Sequence, residues 1–221
     1  MKKVFGILCG ILFAVSLGAC GSDNEEGASS SSNASSAQNV KIEGKTLVVY
    51  FSEPEKSGTD AVAGASRVVE NGEVVGNTQF LAETVSEETE AELFRIETVK
   101  AYPSDHDELV DYGEQEQNEE ARPELKAKVD DLDDYDTIFI GYPIWFSDLP
   151  MPLYTFLDEH DFSGKTIIPF STNGGSSMSG TITTITDMEP GAEVSDNGIS
   201  ISRDNISGSK QEVIDWVNEF K

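Results

Sequence analysis

The sequence predicts an α/β protein: a three-layer α/β/α sandwich around a five-stranded parallel sheet of order 2-1-3-4-5. Three observations lead there. Across residues 45–221, short apolar runs rich in β-branched residues alternate with amphipathic stretches, the pattern of a parallel sheet covered by helices on both faces. The run Thr137-Ile138-Phe139-Ile140 passes directly into Gly141-Tyr142-Pro143-Ile144-Trp145-Phe146. Tyr142 must stay extended before a proline, and Pro143 has no N–H to give to a sheet, so a buried strand ends there in a rigid aromatic turn. Hydroxyl-rich or glycine-rich segments follow other strands at the same carboxyl edge, where open α/β sheets bind ligands.

Each element has its own signal. Lys45-Thr46-Leu47-Val48-Val49-Tyr50-Phe51 reads as a buried first strand. Residues 53–75 then separate it from its helix, which is long for such a connection. Within this insertion, Asn71-Gly72 lies between Val68-Val69 and Val74-Val75 and predicts a small hairpin. Gly76-Asn77-Thr78 opens a helix through Phe80, Leu81, Val85 and Glu88. Residues 91–97, with Leu93, Phe94 and Ile96, form the second strand. Residues 104–133 are acidic, with Leu109, Leu125 and Val129 as apolar anchors, and predict a helix in two pieces broken near Arg122-Pro123. Residues 136–142 are the third strand. Leu153, Phe156 and Leu157 place a helix over residues 150–160. Residues 165–170 are the fourth strand, 177–188 a short Thr- and Ile-rich helix, and 199–202 the fifth strand. Val213, Ile214, Trp216, Val217 and Phe220 give the last helix, over residues 209–220, an apolar face on which Trp216 packs into the core.

Residues 1–19 read as an export signal: Lys2 and Lys3, then an apolar run too short to span a bilayer in the usual way. Leu17-Gly18-Ala19-Cys20 resembles the bacterial lipoprotein box, which implies a lipid on Cys20 and a protein exported to the outer face of the cytoplasmic membrane. Residues 20–44 are a Ser-rich linker with too little apolar surface to fold. The only other cysteine is Cys9, so a domain over residues 45–221 has no disulfide, thiolate metal ligand or thiol nucleophile. With 15 Lys and Arg against 41 Asp and Glu, the formal charge is −26. That excludes nucleic acid and anionic lipid as electrostatic partners, leaves the lipid anchor as the contact with membrane, and favours a soluble, monomeric protein with basic partners.

Three segments meet at one sheet edge. Ser52 ends the first strand beside Gly76-Asn77-Thr78, where a helix N-terminus offers free N–H groups to a phosphate, although plain N-capping by Asn77 or Thr78 would also account for the residues. Trp145 stands on the turn after the third strand, as a ligand-facing ring or as one packed under a loop. A flat apolar ring there suits a flat apolar cofactor such as flavin. Ser171-Thr172-Asn173-Gly174-Gly175-Ser176 follows the fourth strand, and its glycines let backbone approach a ligand.

On these residues the chain resembles the flavodoxin family, most closely the flavodoxin-like proteins of Gram-positive bacteria. The likeness covers residues 45–221. Its most specific pieces are Asp134-Tyr135-Asp136-Thr137-Ile138-Phe139-Ile140-Gly141-Tyr142-Pro143-Ile144-Trp145, Phe162-Ser163-Gly164-Lys165-Thr166-Ile167-Ile168-Pro169-Phe170 and Gly76-Asn77-Thr78. The resemblance implies bound FMN. By it, Ser52, Gly76, Asn77 and Thr78 form the phosphate site, Pro143, Ile144 and Trp145 line the isoalloxazine with Trp145 stacking, and Thr172, Asn173, Gly174 and Gly175 contact the ring edge or ribityl chain. The chain departs from the family pattern twice. The phosphate loop is split after Ser52, with Glu53 and Glu55 following, and Asn173 stands where a histidine is frequent.

The leading expectation is an FMN electron carrier whose redox partner is a protein or a quinone. A carrier needs no acid, base or nucleophile, because the cofactor supplies the chemistry. Negative charge around the ring would favour a low potential. An FMN-dependent quinone or NAD(P)H reductase is the alternative, with the hairpin as one wall of its pocket. A binding protein that has kept the fold and lost FMN is a third. His106 and His160 read as surface residues beside carboxylates. No hydrolase triad is formed, because Gly175-Ser176-Ser177-Met178-Ser179 lacks the second glycine of a nucleophile elbow. The run Asp130-Asp131-Leu132-Asp133-Asp134 lacks the Gly and terminal Glu of a calcium loop.

Overall fold

A computed structural model describes residues 40–54 and 66–221. The expected signal, Cys20, the linker through residue 39, and Glu55 lie outside the described residues. Residues 40–44, read above as the end of the linker, pack against the domain. Val40 is buried, the Ile42 N–H donates to Phe220 O at 2.9 Å, and the Glu43 N–H donates to Thr137 Oγ1 at 3.1 Å.

The strands follow from the apolar runs. β1 (Thr46–Phe51) and β5 (Thr137–Pro143) are the central pair, parallel and in register from Thr46↔Thr137 to Tyr50↔Gly141. β4 (Glu92–Ile96) flanks β1, and β6 (Thr166–Asn173) flanks β5, both parallel. The open edge of β6 carries two short strands: β7 (Glu193–Val194) pairs with its start, and β8 (Ile199–Ser202) with its end. The sheet therefore has the expected 2-1-3-4-5 order, with the fifth position divided between two pieces. Residues 199–202 were read as the whole fifth strand; two residues at 193–194 are too short to leave a periodic signal.

Alternation along the strands divides the core into two layers. Leu47, Val49, Phe51, Ile138, Ile140 and Tyr142 face α3 (Met151–Asp158), which contributes Leu153, Phe156 and Leu157, with Leu109 of α2 (His106–Asn118) and Ile185 of α4 (Thr181–Met188) on the same side. Val48, Tyr50, Phe139, Ile168 and Phe170 face α1 (Asn77–Thr89) and α5 (Lys210–Asn218), which bring Phe80, Leu81, Val85, Val213, Trp216 and Val217. Burying such side chains on both faces of one sheet, at about 1.5–3 kcal/mol each, is what holds the strand ends in place.

The hairpin is present. β2 (Arg67–Glu70) and β3 (Glu73–Gly76) pair antiparallel around Asn71 and Gly72, both at positive φ, as a two-residue type I′ turn requires. Val68 and Val75 pack onto the α1 layer, while Val69 and Val74 point outward. A further element differs from expectation. The helix expected after Pro123 does not form; only a 3₁₀ turn occurs, at Leu132–Asp134. Residues 123–126 run extended instead, with the Val99 N–H donating to Glu124 O and the Lys126 N–H to Glu97 O, each at 2.8 Å. Pro123 and the free edge of the chain beyond β4 favour this pairing over a second helix.

Candidate functional site

Ser52 follows β1 at the carboxyl edge of the sheet and is buried. The hairpin returns the chain so that Gly76 lies against it: a Cβ on Gly76 would fall 2.1 Å from Ser52 Oγ. The Gly76 backbone is ordinary extended chain (φ −68°, ψ 146°), so glycine is required here for space rather than for conformation. α1 starts at Asn77 with no side chain capping its N-terminus. The Asn77 N–H donates to Ser66 O at 2.8 Å. Plain capping by Asn77 or Thr78 is thus not what this geometry uses. Thr78 Oγ1 instead lies 2.8 Å from Thr172 Oγ1, tying the helix start to the end of β6. Behind this corner, Arg95 Nη2 donates to Ser52 O at 2.8 Å and stands 3.6 Å from Glu53 Oε1.

The aromatic turn is a second tight hairpin. Trp145 and Asp148 exchange both backbone hydrogen bonds, at 3.0 and 2.9 Å, and Phe146 and Ser147 between them have φ of 49° and 64°. Neither is glycine, so the turn carries a conformational cost that its anchors must offset. Two anchors are visible. The Ile144 N–H donates to Thr172 O at 2.8 Å. Asp148 Oδ2 accepts from Tyr154 Oη at 2.9 Å, and burial together with that carboxylate pushes the Tyr154 phenol up to about 12, so it remains a donor. The Trp145 ring is held edge-on by Phe51 (5.4 Å, 81°) and Tyr102 (5.5 Å, 77°).

After β6, the side chain of Asn173 is committed to its own loop. Its Oδ1 accepts from the Gly175 N–H at 2.7 Å, its Nδ2 donates to Ser200 Oγ at 2.8 Å, and its carbonyl accepts from the Arg203 N–H at 2.8 Å. The amide in the place of a histidine therefore fixes the loop. Gly175, at φ +124°, makes the bend, and Gly174 presents bare backbone.

One cleft gathers these pieces. Ser52, Asn77, Thr78, Pro143, Ile144, Trp145, Thr172, Asn173 and Gly174 all line it. Gly76 and Gly175 do not: Gly76 packs against Ser52, and Gly175 bends the loop after β6. Sequence reasoning missed Glu53, Ser66, His106, Leu109, Val110, Phe146 and Arg203, which also line it. Phe146 and Val110 are 41% and 39% exposed, unusual for large apolar side chains at a cleft. His106, Leu109 and Val110 arrive with the first turns of α2, whose N-cap Asp105 accepts from the Asp107 and Glu108 N–H groups. Nothing local in the sequence marks that helix as a wall of the cleft; only its packing does.

The flavodoxin family model matches residues 66–220. Among solved structures, a proposed flavoprotein of Bacteroides eggerthii is 26% identical, with a TM-score of 0.59 over 80% of this chain and 97% of that one. A proposed flavoprotein of Bacteroides uniformis is 29% identical, with a TM-score of 0.58 over 79% and 98%. A Lactobacillus acidophilus flavoprotein solved in complex with FMN is 21% identical, with a TM-score of 0.52 over 75% and 97%, a likeness of fold. No curated protein matches the chain in sequence.

Proposed function

The chain belongs to the flavodoxin family, and from that premise we propose that it binds FMN in this cleft and carries electrons, tethered outside the cytoplasmic membrane by a lipid on Cys20. The convergence of an uncapped helix N-terminus, an aromatic turn and a bare glycine loop on one cleft carries the reading. The donor set fits FMN end to end. Ser52, Asn77 and Thr78 supply hydroxyl and amide groups beside the positive end of α1, which suits a phosphate. Pro143, Ile144 and Trp145 supply an apolar wall for a flat ring, and Gly174 joins the lining with bare backbone.

Bound FMN would supply the electron chemistry, and the chain's residues would bind and orient it. Thr78 and Thr172 hold the phosphate end and the ring-side loop at a fixed separation. The Trp145–Asp148 turn keeps the indole in place through its paired hydrogen bonds. Export and the lipid anchor rest on Lys2, Lys3 and Leu17-Gly18-Ala19-Cys20.

A second reading, an FMN-dependent quinone or NAD(P)H reductase, has one observation in its favour: exposed Phe146 and Val110 offer a flat substrate an apolar seat at the cleft. Turnover with NAD(P)H and a quinone separates it from a carrier. The FMN assignment itself is tested by flavin titration of the full chain. Trp145→Ala is expected to weaken binding by about 1 kcal/mol or more, roughly fivefold in Kd. Unchanged affinity would remove Trp145 from the ring site.

A further inference from the structure

α2 is a polar helix with one buried face, made of Leu109, Gly113 and Glu116. Each of the three does something different. Leu109 reaches the cleft. Gly113 sits directly behind the aromatic turn: a Cβ there would lie 3.3 Å from Trp145 Cε3 and 3.3 Å from Phe146 Cε2, tighter than side chains normally pack. Glu116 is 7% exposed and accepts a hydrogen bond from Tyr102 Oη at 2.5 Å. Tyr102 is the same ring that holds Trp145 edge-on. Tyr112 meets Tyr102 edge-on at 5.4 Å, and Lys100 Nζ caps Tyr112 at 4.4 Å from its centroid.

Glycine is the poorest helix former after proline, so its presence in mid-helix calls for a packing reason, and the contact with Trp145 and Phe146 is one. A carboxyl group buried among aromatic rings calls for one too, and burial does push the Glu116 carboxyl up. We infer that α2 sets the position of the Trp145 ring: Gly113 seats the helix flush on the aromatic turn, and the Tyr102–Glu116 hydrogen bond fixes its height along Tyr102. Both are positioning residues that act through Trp145. This inference rests on the assignment of Trp145 to the flavin ring, and it makes a polar helix outside the sheet a determinant of flavin affinity.

The test is a double-mutant cycle on the full chain, with Gly113→Ala, Trp145→Ala and the pair, read by FMN titration, by flavin-free thermal unfolding and by the near-ultraviolet circular dichroism of the tryptophans. Alanine is the better helix residue, so a glycine with no positioning role predicts a variant that is more stable and otherwise unchanged. The inference predicts instead a flavin-free Gly113→Ala protein with an altered tryptophan signal and FMN binding weakened by about tenfold. In the Trp145→Ala background the same substitution should change affinity by less than about twofold. Equal affinity in wild type and Gly113→Ala, or an equal loss in both backgrounds, overturns it. If Gly113→Ala does not fold, Tyr102→Phe keeps the ring, removes the bond to Glu116, and carries the same predictions. A wild-type chain that takes up no FMN overturns the flavin reading. The flavin-free tryptophan signal then still decides the positioning claim, which falls if that signal is unchanged by Gly113→Ala.

Discussion

Single residues at the cleft divide into those that face a ligand and those that hold others in place. Asn173 looks like a contact residue in the sequence, yet both ends of its amide are used within the loop and by Ser200. Thr78 and Thr172 both line the cleft and bond each other directly, so they do both jobs. Ser52, Thr78 and Trp145 were legible because strand ends, helix starts and Pro-aromatic turns announce themselves locally. His106, Gly113 and Arg203 were not, because their roles depend on where distant elements pack. The same limit applies to Glu189 at the end of α4, whose neighbours Asp158 and Asp161 are close only in the fold. Burial first, and then those two carboxylates, push its carboxyl up to about 7. A raised acid contributes stability that is complete below its ordinary value near 4.5 and is lost as pH rises through about 7. Glu189→Gln should therefore match wild type in urea unfolding at about pH 4 and exceed it by about 1 kcal/mol at about pH 8, after allowance for solvent screening. Equal stability at the higher pH would contradict this.

At the scale of elements, what could be read in advance is what short-range chemistry dictates. The apolar runs of β1, β5 and β6 became strands buried on both faces, those of β4 and β8 became partly exposed flanking strands, and Asn71-Gly72 became a hairpin because both positions need positive φ. The insertion leaves β1 and α1 in their usual relation, since the hairpin hands Gly76 back against Ser52. The segments read as a split phosphate loop, Ser52 and Gly76-Asn77-Thr78, are thus adjacent in space. The expected helix beyond Pro123 failed for the opposite reason. Its apolar anchors Leu125 and Val129 are spaced as on a helix face, but extended pairing with residues 97–99 satisfies the same backbone groups, and a sequence window does not contain that partner. Val129 adds a further long-range tie, its N–H donating to His160 Nε2 at 3.2 Å. His160, read as a surface residue, is accordingly part-buried against Phe156, 4.3 Å between rings.

The whole molecule combines a cleft whose lining includes one carboxylate, Glu53, and one guanidinium, Arg203, with a formal charge of −26. Such a surface would steer basic partners and weigh against added negative charge on a bound ring, which favours a low potential. Among the described residues no helix is long and apolar enough to cross a membrane. The tether proposed above is a lipid on Cys20, so Cys20→Ala should move the protein from the membrane fraction to the soluble one. A variant that still sediments with membranes would count against that tether. The central claim is that the cleft holds FMN, and the visible absorption spectrum of the purified full chain tests it most directly. The account predicts oxidised-flavin bands that stay with the protein through desalting, or that appear and stay once FMN is added. A colourless chain that takes up no FMN would contradict it and leave a family member that has kept the fold without the cofactor.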